Sequence, residues 1–486
     1  MHVPDYVFRE YDIRGVVGKE LSAAFVYWLG RALGTFYQHH GVGSVSIGRD
    51  ARTSSPTFRD EIARGLVESG VNVLDIGLLP TPVLYFSLFN LDVGGGVMIT
   101  GSHNPPDENG FKVCLGRTTI YGDAIQQIKR IMLQGEFVDG SGSHLDASVN
   151  DAYIMTIAED LAAWGVGRSA GAGLHAGVAG RRRVKAVVDA GNGTGNIVAL
   201  DLYRSLGHDV VGLYSEPDGR FPHHHPDPTI PANLQDLIEE VGRARAELGI
   251  AFDGDADRIG VAAGDGTILW GDQLLILFAR DILATRPGAK IIGEVKCSEA
   301  LFDEVRKAGG VPIMWKVGHS LIKAKLKEEG ALLAGEMSGH LFFADRYHGY
   351  DDAIYAGARL LDLLSRSGRS LDDFVRTLPR MYNTPEIRVD CPEAAKKAVV
   401  ERVAAAFGRE HEVDCVDGAR IRFARGWGLV RASNTQPVLV LRFEAESPTA
   451  LEEIRDAVSR EVEAALVCAA GEGGSGTRGG SGQGTR

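Results

Sequence analysis

The sequence contains no apolar run approaching the ~18–20 residues of a membrane-spanning helix. Its opening residues, MHVPDYVFREYDIRG, are charged throughout and lack the apolar centre of a secretory signal. A cationic excess is also missing: Lys and Arg number 52 against 64 Asp and Glu, for a formal charge of −12. Nucleic-acid and membrane-surface binders need clustered cations, so neither partner is expected. Cysteine is scarce and unpaired in spacing. The five residues, Cys114, Cys297, Cys391, Cys415 and Cys468, form no CxxC motif. That usage fits a reducing cytoplasm, with the thiols serving as small core side chains. A chain of 486 residues exceeds a single core and predicts about three or four domains.

Glycine is abundant, at 62 residues, and much of it lies in two places. Residues 165–183, GVGRSAGAGLHAGVAGRRR, read as a flexible surface insertion with a basic end and no chemical role. The final residues, GEGGSGTRGGSGQGTR, read as a disordered tail.

Chemistry concentrates where apolar strands run into polar loops. Residues 94–112, GGGVMITGSHNPPDENGFK, give a short apolar strand (Val97, Met98, Ile99) and then a break that extends neither strand nor helix. Ser102 should therefore sit on a tight loop at the end of a rigid strand. A serine hydroxyl needs a base, a metal or a strong local field to become a useful nucleophile. Lys112 follows ten positions later and could bring its ammonium back over the loop. Strands at 45–50 and 71–76 and helices at about 22–37, 56–69 and 123–133 complete a first β/α unit over 1–148.

A second unit, 149–268, includes VKAVVDAGNGTG, a glycine-rich turn that either cradles a phosphate or simply lets strand and helix pack closely. His223, His224 and His225 are adjacent on an extended loop and should point apart, which argues against a three-histidine zinc site. The charged centre of this unit is GIAFDGDADRIG. There Asp253, Asp255 and Asp257 converge ahead of Arg258. Three clustered anions repel, and a bound hard cation, with Mg²⁺ favoured beside a phosphate, is the natural resolution. An EF-hand fails, since Arg258 and Gly264 occupy the positions that need Gly and Glu. A haloacid-dehalogenase-type phosphatase is disfavoured by Asp257, where Thr or Val is usual.

The third unit, 269–380, has a helix at 272–284 and three candidates at strand ends, Lys296, Lys316 and His319. A loop follows with Glu336, Ser338, Gly339 and His340. Either histidine could act as general acid or base near neutral pH. The last unit, 381–467, has a strand at 438–443 and a helix at 449–467. Its segment RASNT supplies Arg431, Ser433, Asn434 and Thr435, a clamp for a phosphate dianion.

Taken together, these motifs resemble the α-D-phosphohexomutases, on the bacterial phosphomannomutase/phosphoglucomutase side of that family. Thr-Gly-Ser-His-Asn-Pro matches the phosphoserine loop, Asp-Gly-Asp-Ala-Asp-Arg the metal loop and Gly-Glu-Met-Ser-Gly-His the sugar-specificity loop. The likeness covers roughly residues 6–467, in order. It implies an α/β fold: three similar α/β domains with mixed sheets, plus a smaller α+β C-terminal domain, around a central cleft. It implies reversible phosphoryl transfer between the 1- and 6-positions of mannose and glucose phosphates, through a phosphoserine and a 1,6-bisphosphate that also serves as activator.

In that scheme Ser102 accepts the phosphoryl group. One Mg²⁺ is held by Asp253, Asp255, Asp257 and the Ser102 phosphate. Arg14, Lys112, Arg258, His319 and His340 are catalytic. Tyr11 and Lys296 contact substrate, Glu336, Ser338 and Gly339 read the sugar, and the RASNT clamp holds its phosphate. A phosphoglucosamine mutase is the nearest alternative, and a magnesium-dependent sugar phosphatase or a non-catalytic sugar-phosphate binder lies further off. A monomer is expected, with a dimer as the alternative. The sequence departs from the pattern at Ala256, usually Gly, which is tolerated unless the backbone needs positive φ. It also departs at Val317, usually Thr, and at His223, usually Asn.

Overall fold

The computed structural model describes residues 4–165, 181–433 and 436–473. Asn434, Thr435, most of the predicted insertion and the end of the predicted tail lie outside the described residues.

The first sheet is mixed. The inner strand Gly95–Ile99 runs parallel to Ser44–Arg49, which is parallel to Asn72–Leu78 and, beyond it, His144–Asp146. On its other side Gly95–Ile99 is antiparallel to Glu108–Leu115, which is antiparallel in turn to Ile13–Val16. All five residues of Gly95–Ile99 are buried, as expected for a strand covered on both faces. Helices Ala23–His39 and Ser55–Glu68 pack together unusually closely. A Cβ on Gly65 would lie 2.6 Å from the Tyr27 carbonyl oxygen, so glycine is required at that crossing.

The second sheet repeats the scheme. Leu248–Phe252 runs parallel to Lys185–Asp189 and antiparallel to Ile259–Ala263. In the third, Leu333–Gly335 runs parallel to Lys290–Glu294 and antiparallel to Leu341–Phe343. Each of the three inner strands therefore enters a turn that returns antiparallel, and the three turns are the serine, aspartate and glutamate loops. The fourth sheet is antiparallel, ordered Tyr382–Asn383, Val438–Ala445, Gly426–Ala432, Ala419–Phe423, Glu412–Asp414, with Ile387–Asp390 also on Val438–Ala445. Its core joins Ile421, Val430, Leu439 and Phe443 to Val399 and Val403 of one helix and Ile454 and Val458 of another.

Compactness divides the chain into one unit of residues 1–293, 304–313 and 318–378, and a second of 294–303, 314–317 and 379–486. Lys296 and Lys316, expected with the third domain, group with the second unit. The glycine-rich turn takes its packing alternative, since a Cβ on Gly195 would lie 2.5 Å from the Phe252 ring.

Three expectations need correction. The last helix, Pro448–Gly473, continues past 467 into the stretch expected to be tail. The basic end of the insertion is anchored, with Arg181 bonded to Asp362 at 2.8 Å and Arg182 to Glu247 at 2.7 Å. Cys415 and Cys468 are exposed and not core residues, whereas Cys114, Cys297 and Cys391 are buried. Helices Asn150–Gly165 and Ala353–Ser367 were not anticipated. Among the described residues no helix is long and apolar enough to cross a membrane.

Candidate active site

Ser102 lies just beyond Gly95–Ile99 with φ +49° and is 2% exposed. A left-handed backbone costs a non-glycine residue on the order of 1 kcal/mol, so something must hold it there. Part of the hold is Thr100, whose Oγ1 accepts from the Ser102 N–H at 2.8 Å. The larger part is Arg52, fully buried, which donates to the carbonyls of Ser102 (2.9 Å), Asn104 (2.6 Å), Glu108 (2.8 Å) and Pro105. Its charge is met by Asp50 at 3.1 Å, and Asp50 also accepts from the Gly101 N–H at 3.0 Å. Arg14, expected among the catalytic residues, reaches the same loop through Asn104 Oδ1 at 2.8 Å.

The aspartate trio stands directly against this loop. Ser102 Oγ donates to Asp253 Oδ2 at 2.7 Å. Asp253, Asp255 and Asp257 are at most 1% exposed, and each offers an oxygen within 4.8 Å of the others. Lys112, 3% exposed, donates to Asp255 Oδ2 at 2.7 Å and also to Asp257. Burial lowers its pKa, but the Asp255 and Asp257 carboxylates outweigh burial and keep it an ammonium. Burial and the Asp257 and Asp255 charges push the Asp253 carboxyl well above the usual range. Asp255 Oδ1 is buried and has no hydrogen-bond partner among the described residues. An all-oxygen trio with surplus negative charge and one unmet buried acceptor fits a hard divalent cation. The Ala256 backbone does need positive φ, at +57°, so the methyl that replaces the usual glycine is strained.

His340 bridges two carboxylates, Asp257 Oδ1 at 3.2 Å and Glu336 Oε2 at 2.6 Å. Burial alone would lower its pKa. Asp257 and Glu336 raise it to about 9, against the opposing charge of Arg258, whose Nε lies 3.3 Å away. His319 instead has its pKa lowered, by burial and by Lys323, and faces Asp351 Oδ2 at 3.2 Å. The two histidines left open by the sequence are thus in opposite states at neutral pH, His340 charged and His319 neutral. Tyr11 packs edge-on against His319, with ring centroids 6.3 Å apart.

Glu336 Oε1 accepts from the Gly318 N–H at 2.8 Å, which fixes its carboxylate. Ser338 is half-buried, 3.4 Å from His340 Nδ1. Gly339 has φ +95° and accepts from the Ile259 N–H at 3.1 Å, so it ties the glutamate loop to the aspartate hairpin.

In the second unit, Arg431 pairs with Asp417 at 3.2 Å, and Lys296 with Glu386 at 2.8 Å. Lys396, absent from the predicted clamp, donates to the Ser433 carbonyl at 2.5 Å and to that of Gln436 at 3.1 Å. Lys316 is exposed.

Sequence reasoning also missed His103 as a site residue. Its Nδ1 lies 3.1 Å from Ser102 Oγ, and burial together with Arg258 and Arg14 keeps the imidazole neutral. The three adjacent histidines diverge as expected. His223 reaches Asn192, His224 reaches Asp189, and His225 reaches the His103 carbonyl at 2.5 Å. His225 thereby buttresses the serine loop, a role its position in the chain did not suggest.

Comparison with known proteins agrees with this geometry. Family models described as phosphoglucomutase/phosphomannomutase, alpha/beta/alpha domains I, II and III match residues 5–139, 173–266 and 270–382, and that of the C-terminal domain matches 386–461. A Pseudomonas aeruginosa phosphomannomutase/phosphoglucomutase is 45% identical over 464 residues, which cover 95% of this chain and 96% of that one. A Neisseria gonorrhoeae phosphoglucomutase is 45% identical, with 94% and 96% covered. The crystal structure of a phosphoglucomutase/phosphomannomutase family protein from Burkholderia thailandensis superposes with a TM-score of 0.87 at 43% identity, over 96% of this chain and 98% of that one. The fold and site define a four-domain α/β protein of the phosphohexomutase class. The chain belongs to the phosphoglucomutase/phosphomannomutase family.

Proposed function

We propose that the protein is an isomerase that interconverts the 1- and 6-phosphates of mannose and glucose by phosphoryl exchange through Ser102. The observation that carries this reading is the Ser102 Oγ, 2.7 Å from a carboxylate of a buried aspartate trio. Phosphoryl transfer needs little covalent chemistry from the protein and much positioning and charge neutralisation. Asp253, Asp255 and Asp257 would hold Mg²⁺, which when bound neutralises phosphoryl oxygens at Ser102.

The phosphoryl group on Ser102 passes to the free hydroxyl of a hexose monophosphate, and Ser102 is left as the alcohol or alkoxide. The resulting 1,6-bisphosphate then returns its other phosphoryl group to Ser102. Lys112 and Arg14 add positive charge around the serine loop. Neutral His103, beside Ser102 Oγ, and neutral His319 can accept a proton, whereas charged His340 serves to hold Asp257 and Glu336 in place. Glu336 with Ser338 would read the 3- and 4-hydroxyls that mannose and glucose share. Arg431, Ser433, Asn434, Thr435 and Lys296 would bind the phosphate already on the substrate. Cysteine usage supports action in the cytoplasm, and we take the working form to be a monomer.

The test is a set of coupled assays with mannose, glucose and glucosamine 1-phosphates, with free phosphate monitored. Turnover of the first two without phosphate release is expected. Sustained phosphate release would overturn the mutase reading, and preference for the amino sugar would move the substrate to glucosamine phosphate.

A further inference from the structure

Asp255 is held from outside its own loop. Thr81, fully buried, is the first residue of helix Thr81–Asn90. It lies in the segment matched to domain I, whereas Asp255 lies in that matched to domain II. Two bonds join them. The Thr81 N–H donates to the Asp255 carbonyl at 2.9 Å, and Thr81 Oγ1 donates to Asp255 Oδ2 at 2.6 Å. The N–H is one of the first-turn donors that a helix cannot satisfy internally, so the contact completes the helix as well as the loop.

The two oxygens of Asp255 differ sharply. Oδ2 receives Thr81 Oγ1 at 2.6 Å, Lys112 Nζ at 2.7 Å and Thr100 Oγ1 at 3.1 Å. Oδ1 receives nothing among the described residues, although it is buried. Three donors on one oxygen leave the carboxylate little freedom to turn. They leave Oδ1 as the buried oxygen with acceptor capacity to spare.

We infer that Thr81 is a positioning residue for the metal centre, one that orients Asp255 so that Oδ1 is the ligand atom. Lys112 and Thr100 belong to the serine-loop strand and its partner. Thr81 alone ties Asp255 to the helix opened by Leu79-Pro80-Thr81-Pro82. Partners of this kind around metal ligands commonly change metal affinity 10–100-fold when removed. The inference rests on the reading of the trio as the cation site.

The experiment is Mn²⁺ titration of the unliganded protein, by electron paramagnetic resonance or calorimetry, with melting measured without metal. Thr81→Val keeps the branched shape and the backbone donor, and it should weaken Mn²⁺ binding about tenfold. Thr81→Ser keeps the hydroxyl and should stay within about twofold of wild type. Should Thr81→Val fail to fold, Thr81→Ala carries the same expectation. Wild-type Mn²⁺ affinity in the hydroxyl-free variant would overturn the inference. So would equal losses in the Val and Ser variants, which would mark Thr81 as a packing residue. Asp253→Asn in the same titration separates the two layers. If it binds Mn²⁺ like wild type, the trio itself is not the site, and the role of Thr81 falls with it.

Discussion

The serine loop and the aspartate loop occupy the same place in two successive sheets, the turn between a parallel inner strand and its antiparallel partner. Each holds one non-glycine residue at positive φ, Ser102 at +49° and Ala256 at +57°. Their polar groups, however, are treated in opposite ways. In the serine loop the backbone carbonyls are met by the fully buried Arg52, whose charge is balanced by Asp50. In the aspartate loop Lys112 meets Asp255 and Asp257 but not Asp253, His340 adds a contact to Asp257, and Asp255 Oδ1 is left unmet among the described residues. One loop is pinned through its backbone by Arg52, Asp50 and Thr100. The other keeps a buried carboxylate oxygen unmet among the described residues. On the proposed function, the first aims a nucleophile and the second supplies the field in which it works.

The comparison breaks most visibly at Arg52. Arg52→Met should lower turnover by about a hundredfold or more, because the Ser102 backbone loses the donor that holds it. It should also cost about 3–5 kcal/mol of stability, since Asp50 is left buried without its partner. Urea unfolding and steady-state rates check both expectations. A variant that keeps the wild-type rate would show that the serine loop holds itself.

At the other loop, Asp255→Asn removes an anionic ligand and leaves a similar shape. Metal affinity should fall about 10–100-fold, with far-UV dichroism unchanged. Metal titration of activity and of the unliganded protein reads this directly, and an unchanged requirement would remove the trio from the site.

A buried carboxylate outside both loops shows what incomplete charge costs without a cation. Asp352 accepts from the Tyr153 and Tyr347 hydroxyls and from the Tyr355 N–H, and burial pushes its pKa up to about 7. A raised folded pKa means the stabilisation is complete below the unfolded value of about 3.9 and is lost as pH rises through about 7. Asp352→Asn keeps the cap and cannot ionise. It should therefore be more stable than wild type at pH 8, on the order of 2 kcal/mol, and not at pH 4. Melting curves at the two pH values decide the matter. An equal effect at both would mean that Asp352 does not titrate in this range.

The smallest expected effect is at Ala256. Ala256→Gly relieves the left-handed strain and should stabilise the hairpin by up to about 1 kcal/mol, with activity kept. Destabilisation in thermal melts would show that the methyl's packing outweighs its strain.

How much of this was legible follows from the range of each interaction. Ser102 and the aspartate trio could be read because an apolar strand and a burst of polar residues are adjacent in the chain. The repeated β/α pattern was visible for the same reason, whereas the antiparallel returns emerge only in the structure. Arg52 was not singled out from the sequence, because the carbonyls it holds lie 50–56 positions away. The Thr81–Asp255 contact spans 174 positions. His103 was quoted within a motif, but its neutrality depends on Arg14 and Arg258 from distant segments. The same holds for His319 and His340, whose opposite protonation comes from which carboxylates and cations fold around them. Positive φ at Ala256 is a backbone property, and one substitution in a single sequence could only pose it as a condition.

The central claim is that a serine loop pinned by Arg52 presents Ser102 to the aspartate trio as the phosphoryl acceptor. The most direct measurement is intact-mass and peptide mapping after incubation with glucose 1,6-bisphosphate and Mg²⁺, on wild type and on Ser102→Ala. The account predicts one phosphoryl group per chain, on the peptide containing Ser102, and none in the alanine variant, which should also lose nearly all turnover. Phosphate on another residue, or an unphosphorylated alanine variant that still turns over at the wild-type rate, would contradict it.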